Sequence, residues 1–179
     1  MDPETELGSS SVIVREATVA DAAPMARALV AAWRAAYRGI IGQDFLEAMD
    51  EQRIGASWRE TLVRGAGVPP LVIVFADHVV GFCQVGEPRD VSPPDTGELF
   101  ALNLHPDAWG RGLGSALLSA AGAQLLALGY RRAYLWVADG NQRAIELYLR
   151  HGWHDTAITK TEYKFTPPLL EHRYAILLS

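Results

Sequence analysis

The chain has 179 residues, of which 49% are apolar and 21% are charged, as is usual for a soluble globular domain. Sixteen basic and 21 acidic residues leave a formal net charge of −5, which argues against a nucleic-acid partner because phosphate binding needs a basic face. The single cysteine excludes an intrachain disulfide, and no apolar run reaches the ~18 residues that a membrane span requires.

The N-terminal half of the chain predicts a tail, a strand, two helical stretches and a hairpin. Residues 1–10 are acidic and polar with no apolar segment, so we expect a disordered tail and not a secretory signal. Residues 11–179 predict a single domain, which we expect in the cytoplasm. The expected elements are a strand at 12–17, a helix at 21–37, a second helical stretch at 44–64 broken near Gly55, and hairpin strands at 71–76 and 79–85.

The C-terminal half alternates strands with helices. A segment with three prolines at 87–97 predicts a flexible connection of the kind that often borders a binding site. The expected elements are strands at 98–104 and 132–137, helices at 110–128 and 141–150, and strands at 153–159 and 171–178. Strands and helices in this order predict a layered α/β protein.

The most informative segment is a glycine-rich turn between a strand and a helix. The strand runs into Pro106 and then into alternate glycines at 110, 112 and 114. Glycines let main-chain N–H groups crowd around an anion at a helix N-terminus, so we expect a phosphate or diphosphate ligand. A Walker A loop would need Gly-Lys-Ser/Thr, and a dinucleotide fingerprint would need a glycine where Ser115 or Leu117 stands. Neither motif fits.

This turn resembles the coenzyme-A loop of the GCN5-related N-acetyltransferases, whose pattern is Val-x-Pro-x-x-Gln/Arg-x-x-Gly-x-Gly/Ala. Residues 104–106 match its opening, residues 112–114 match its end, and Trp109 occupies the Gln/Arg position.

A second segment, residues 141–153, is similar to the family pattern Asn-x-x-Ala-x-x-x-Tyr-x-x-x-Gly-Phe, with Trp153 in place of Phe. On a helix, Asn141, Ala144 and Tyr148 share one face.

The resemblance implies an α/β fold with a central, mostly antiparallel, partly splayed mixed sheet of about seven strands flanked by helices. It also implies acetyl-CoA as cosubstrate, no metal, and direct transfer of the acetyl group to a primary amine in a ternary complex. The cofactor-binding residues that it implies are Leu102, Asn103, Leu104, Trp109, Gly110, Arg111, Gly112, Leu113, Gly114, Ser115 and Asn141.

Two residues are candidates for catalysis. Tyr148 is the candidate acid that protonates the departing thiolate. An amine attacks only when neutral, and a free alkyl amine has a pKa near 10, so Glu98 is the candidate base, directly or through water. In a regular strand Glu98 would share a face with Leu102, although a bulge would change that. A histidine or a water molecule stays open as the base, and so does a route through Cys83, which is expected to be a buried core thiol.

Trp33 and Tyr37, four residues apart on the first helix, are candidate walls of the acceptor pocket, and Phe45 is another; ordinary core packing is the alternative for all three. The expected partner is a small-molecule or peptide amine, without nucleic acid or membrane, and a homodimer is left open. The alternative function is a non-catalytic acyl-CoA-binding or regulatory module on the same fold. The sequence specifies neither the amine nor the length of the acyl group.

Overall fold

A computed structural model describes residues 11–179, so the tail expected at residues 1–10 lies outside the described residues. Strands and helices alternate along the described chain. The strands are β1 (Val12–Glu16), β2 (Leu71–Phe75), β3 (His78–Gly86), β4 (Thr96–Leu104), β5 (Arg132–Ala138), β6 (His154–Glu162) and β7 (Leu169–Leu177). The α-helices are α1 (Ala22–Ala36), α2 (Gln43–Glu47), α3 (Glu51–Arg64), α4 (Leu113–Ala127) and α5 (Gln142–Arg150).

The seven strands form one open sheet in the order β1-β2-β3-β4-β5-β7-β6. The pairing of β4 with β5 is parallel, and every other neighbouring pair is antiparallel. Helices cover both faces. This confirms the predicted mostly antiparallel mixed sheet of seven strands flanked by helices.

Each face of the sheet has its own core. On one face, Leu117 and Leu125 of α4 pack against side chains that include Leu135 of β5. On the other face, Met25 of α1 packs against Val72 and Phe82. Burying each such side chain contributes roughly 1.5–3 kcal/mol to the free energy of unfolding. The two cores therefore hold α1 and α4 against opposite faces of the sheet.

The second helical stretch breaks at a different residue from the one predicted. The predicted break near Gly55 is wrong. The helical stretch is interrupted at Asp50, the N-cap of α3, and Gly55 lies inside α3. The Asp50 carboxylate caps α3 by accepting from the main-chain N–H groups of Gln52 and Arg53, at 2.8 and 3.2 Å. Gly55 instead faces α1, where an added Cβ would lie 3.6 Å from the Cβ of Ala26.

An irregularity in β4 sets the geometry of the site. Ala101 pairs with Gln84 and Leu99 pairs with Val85, so Phe100 is an extra residue between these pairs, as in a β-bulge. Cross-strand partners share a face of the sheet. The bulge therefore turns Glu98 toward the α1 face, whereas Leu102 points to the α4 face.

The parallel pairing of β4 with β5 is short. It joins residues 96–99 to residues 132–135, and no further pairing between these strands is present in residues 11–179. The carboxyl ends of the two strands therefore separate, which leaves main-chain groups along one edge of β4 without a strand partner. No helix within residues 11–179 has the length and apolar character needed to cross a membrane.

Candidate active site

A cavity of about 390 Å³ opens where β4 and β5 separate. It lies between α1, the end of β4, the start of α4 and one face of α5. Most of the residues predicted to form the site line it together. These are Trp33, Tyr37, Leu102, Asn103, Leu104, Trp109, Gly110, Gly112, Gly114, Ser115, Asn141 and Tyr148. The predicted residues Glu98, Arg111 and Leu113 are not part of its lining.

The glycine-rich turn presents main-chain donors to this cavity. Gly110 and Gly112 have φ values of +74° and +77°, in the left-handed region that favours glycine. Gly112 is the N-cap of α4, and the first bond within the helix runs from Ala116 N–H to the Gly112 carbonyl, at 3.1 Å. The N–H groups of residues 113–115 precede that bond, so they are available to an anion at the positive end of the helix dipole.

Side chains around the turn divide between the cavity and the core. The Trp109 indole lines the cavity, and its Nε1 donates to the Leu104 carbonyl at 2.8 Å. The Arg143 guanidinium of α5 lies over this ring, 4.2 Å from its centroid. The Arg111 guanidinium lies over Phe75, at 5.5 Å, and Leu113 is buried in the core. Sequence reasoning missed Arg143, although it stands within the second motif.

Asn141 begins α5 and has a structural role in addition to lining the cavity. Its Oδ1 accepts from the Ala144 N–H at 3.3 Å as the helix N-cap. Tyr37 of α1 lies beside Asn141. Burial raises the pKa of Tyr37 to about 12, and the negative charge of Glu171 raises this pKa further, whereas a hydrogen bond with Asn141 lowers it. The Tyr37 phenol is therefore neutral at physiological pH.

Tyr148 places its side chain within the same cavity. It is buried, and its hydroxyl makes no hydrogen bond to another side chain or main-chain group of residues 11–179. Burial raises the pKa of Tyr148 well above its usual value, and proximity to Tyr37 and Cys83 raises it further. The phenol therefore stays protonated at physiological pH and can donate a hydrogen bond.

Glu98 is fully buried, and donors surround its carboxylate. Oε2 accepts from the Arg89 main-chain N–H at 2.9 Å and from the Tyr134 hydroxyl at 2.8 Å. Oε1 accepts from two nitrogens of the Arg89 guanidinium. Since a carboxylate offers about four acceptor positions, a bound amine could reach Glu98 only if one of these partners moved.

A second carboxylate, which sequence reasoning missed, lies close to Glu98. Asp90 accepts from the Trp136 indole Nε1 at 2.8 Å, and Trp136 lines the cavity. Burial acts to raise the pKa of Asp90, but hydrogen bonds from Trp136 and Tyr134, together with the charges of Lys160 and Arg173, lower the pKa overall. The one signal in the sequence was its place in the proline-rich segment 87–97, which was expected to border a site.

Aromatic rings of α1 form another part of the cavity wall. Trp33 and Tyr37 are stacked with their ring centroids 4.6 Å apart, and they both line the cavity and pack against a core cluster. Phe45 packs edge-to-face on Phe165 and is not part of the cavity lining. In the described part of the chain, no aspartate, glutamate or histidine lines the cavity.

A cysteine that was considered as a nucleophile, and a histidine that was not considered, also have defined positions near the site. The Cys83 thiol is fully buried beneath α4, 3.8 Å from the Leu117 carbonyl, and burial raises its pKa to about 12. His151 follows α5, and its Nε2 lies 2.8 Å from the Ser115 hydroxyl. Among residues 11–179 no group of three or more His, Cys, Asp or Glu side chains could hold a metal ion.

Comparisons with known proteins agree with this geometry. The family model described as the acetyltransferase (GNAT) family matches residues 28–153. The uncharacterized N-acetyltransferase YuaI of Bacillus subtilis is 31% identical over 137 residues, which are 75% of this chain and 76% of that protein.

Solved structures share the fold. The PaiA N-acetyltransferase from Thermoplasma acidophilum, in complex with coenzyme A, superposes with a TM-score of 0.72 at 17% identity, covering 90% of this chain and 98% of that one. An N-acetyltransferase from Staphylococcus aureus Mu50 gives a TM-score of 0.69 at 26% identity, covering 95% and 100%. From the cavity, the two motifs and these matches, we conclude that the chain belongs to the GNAT family of acetyltransferases.

Proposed function

We propose that this protein transfers an acetyl group from acetyl-CoA to a primary amine by direct attack in a ternary complex. One observation carries the proposal: the anion-binding turn, the unpaired edge of β4 and the free Tyr148 hydroxyl all face a single cavity. The coenzyme A in the Thermoplasma PaiA structure, which has the same fold, supports this choice of ligand.

The cofactor end of the cavity suits the chemistry of acetyl-CoA. The N–H groups of residues 113–115 would hold the diphosphate. The unpaired edge of β4 at residues 102–104 would hold the pantetheine arm, and its N–H groups could polarise the thioester carbonyl. Fixed main-chain donors of this kind stabilise a developing oxyanion without having to reorganise during the reaction.

The reaction then needs one proton donor for the leaving group. The neutral amine forms a bond to the acetyl carbon, the C–S bond breaks, and the electron pair goes to sulfur. Tyr148 donates its proton to the thiolate, and the proton lost by the amine restores the phenol through solvent. The free, protonated Tyr148 hydroxyl also argues against the alternative of a non-catalytic acyl-CoA-binding module, which would have no use for an acid.

The amine must lose a proton before it attacks, and two routes are open. In the first, Glu98 accepts the proton through water after a donor such as Arg89 moves. In the second, the aromatic walls near Trp33 and Trp136 desolvate the ammonium and lower its pKa, so that water can take the proton. We retain Glu98 as the base to be tested first.

The test is an activity measurement on the purified protein with acetyl-CoA and a panel of primary amines. Amines with aromatic or aliphatic bodies, polyamines and peptide N-termini should be included, with release of free thiol as the readout and mass spectrometry of the acetylated product as confirmation. Binding of acetyl-CoA without acetylation of any amine would favour the binding module. A protein that binds no acetyl-CoA would refute the proposal.

A further inference from the structure

Trp109 gives the cavity wall a flat aromatic surface within the anion-binding turn. The only polar hydrogen of its ring is used inside the turn, in the bond from Nε1 to the Leu104 carbonyl. This bond holds the ring in place, and the indole itself has no donor left for an anion. Any side-chain donor to an anion at this point must therefore come from another residue.

Arg143 of α5 supplies such a donor. Its guanidinium lies 4.2 Å from the Trp109 ring centroid, close enough for a cation–π contact. Within residues 11–179 it makes no hydrogen bond or ion pair, and it lines the cavity with Gly110, Gly112 and Gly114. A guanidinium stacked by its face keeps the N–H donors around its edge free. Arg143, although exposed, therefore rests on the Trp109 ring with unused donors beside the glycine-rich turn.

The other arginines near the cavity are placed differently. Arg111, which belongs to the turn itself, lies over Phe75 and does not line the cavity. Arg150 lines the cavity, but it is seven residues further along α5, or about 10 Å along the helix axis. Arg143 and Arg150 are the charged side chains of the described residues that line the cavity, and Arg143 is the one held over the turn.

We infer that Arg143, held on Trp109, is a cofactor-binding residue that contacts the diphosphate of coenzyme A from the side opposite the N–H groups of α4. The inference rests on the proposed function, since it takes coenzyme A as the ligand. An anion between a helix N-terminus and a guanidinium receives charge-assisted hydrogen bonds from two directions. Together, the N–H groups of α4 and the Arg143 guanidinium would make the protein bind thioesters that carry the diphosphate more tightly than shorter pantetheine thioesters.

The first test is the affinity for coenzyme A, measured by calorimetry on the wild type, Arg143→Ala and Arg59→Ala. Arg59 is an exposed arginine of α3 outside the cavity, so its variant removes the same charge at a remote place. We expect Arg143→Ala to weaken binding about 10- to 50-fold and Arg59→Ala to weaken it less than about twofold. Equal binding by the wild type and a folded Arg143→Ala would overturn the inference. A wild type that binds no coenzyme A would instead refute the proposed function.

Dephospho-coenzyme A, which keeps the diphosphate but lacks the ribose 3′-phosphate, tests which phosphate is contacted. The loss caused by Arg143→Ala should be the same factor for both ligands. A loss confined to coenzyme A would place Arg143 at the 3′-phosphate and overturn the diphosphate assignment.

A double-mutant cycle tests the part played by Trp109. Trp109→Leu should weaken binding of coenzyme A about 3- to 10-fold. Adding it to Arg143→Ala should weaken binding by less than about a further twofold, because both changes remove the same contact. Fully additive losses would show that Trp109 does not act through Arg143. If Trp109→Leu fails to fold, Trp109→Phe replaces it: a retained ring should keep affinity within about threefold of the wild type, and a larger loss in a folded protein would contradict the stacking role.

Discussion

The two ends of the cavity are built from different parts of the chain. At the proposed cofactor end, one continuous segment, residues 102–115, provides main-chain donors. At the acceptor end, the walls are side chains from distant segments, including Trp33 of α1 and Trp136 of β5. Main-chain donors persist through most substitutions, whereas a wall made of side chains changes with each one. We therefore expect cofactor binding to tolerate most substitutions, with Arg143 and the glycines of the turn as exceptions, and acceptor choice to depend on a few aromatic residues.

The largest effect is expected at Tyr148. Tyr148→Phe removes one hydroxyl and little volume, so kcat should fall by about 10- to 1,000-fold, toward the low end because a thiolate is a tolerable leaving group. Affinity for acetyl-CoA should change little. Steady-state kinetics with a confirmed amine, beside a thermal melt, would measure both.

Tyr174→Phe is the matched control, because Tyr174 is also buried but lies on β7 outside the cavity. Its kcat should stay at the wild-type value. Full activity in a folded Tyr148→Phe would remove the acid assignment, and a large loss of stability together with activity would favour a packing role for the ring.

Gly112→Val tests the cofactor end. A β-branched side chain is strained at a φ of +77°, and it would stand among the donors of the turn. Affinity for acetyl-CoA should fall by about tenfold or more, equivalent to ~1.4 kcal/mol. Gly67→Val carries the same strain, at a φ of +80°, in the α3–β2 loop, and should bind normally in calorimetry. Unchanged binding by a folded Gly112→Val would refute the anion site.

Glu98→Gln distinguishes a base from a structural carboxylate. A base is active when deprotonated, so activity should rise with pH on the acidic limb. Gln cannot titrate, so turnover should fall about 3- to 10-fold near neutral pH and less at high pH, where the amine is already neutral. If Glu98 only anchors Arg89 and Tyr134, the melting temperature should fall while the pH–rate profile keeps its shape. Asp90→Asn, a change in the neighbouring carboxylate, serves as the comparison.

The smallest effect is expected at the acceptor wall. Trp33→Leu should raise KM for the amine about 3- to 10-fold through lost apolar contact, with KM for acetyl-CoA changed less than about twofold. Trp58→Leu is the control, because Trp58 packs on Phe82 away from the cavity and should affect stability alone. Equal shifts in both KM values for Trp33→Leu would mean that the two ends are not independent.

The same contrast explains what could be predicted from the sequence. The glycine-rich turn could be predicted because Pro106, the alternate glycines and the helix start are contiguous, so their spacing fixes the local conformation. The environment of Glu98 could not, because it depends on the bulge at Phe100 and on partners 9 and 36 residues away, Arg89 and Tyr134. Likewise, nothing in the α5 motif indicates that Arg143 meets the Trp109 ring.

The short pairing of β4 with β5 has a consequence for the lifetime of the protein. Within residues 11–179, four residue pairs form the seam between strands β1–β4 and strands β5–β7. A ligand in the cavity between the separating ends of β4 and β5 would contact both groups of strands and would cross-link them across that seam. Occupancy at a hundred times the dissociation constant would add about 2.7 kcal/mol to the free energy of unfolding. With acetyl-CoA as that ligand, as proposed above, resistance of this protein to proteolysis in a cell would rise and fall with the supply of acetyl-CoA.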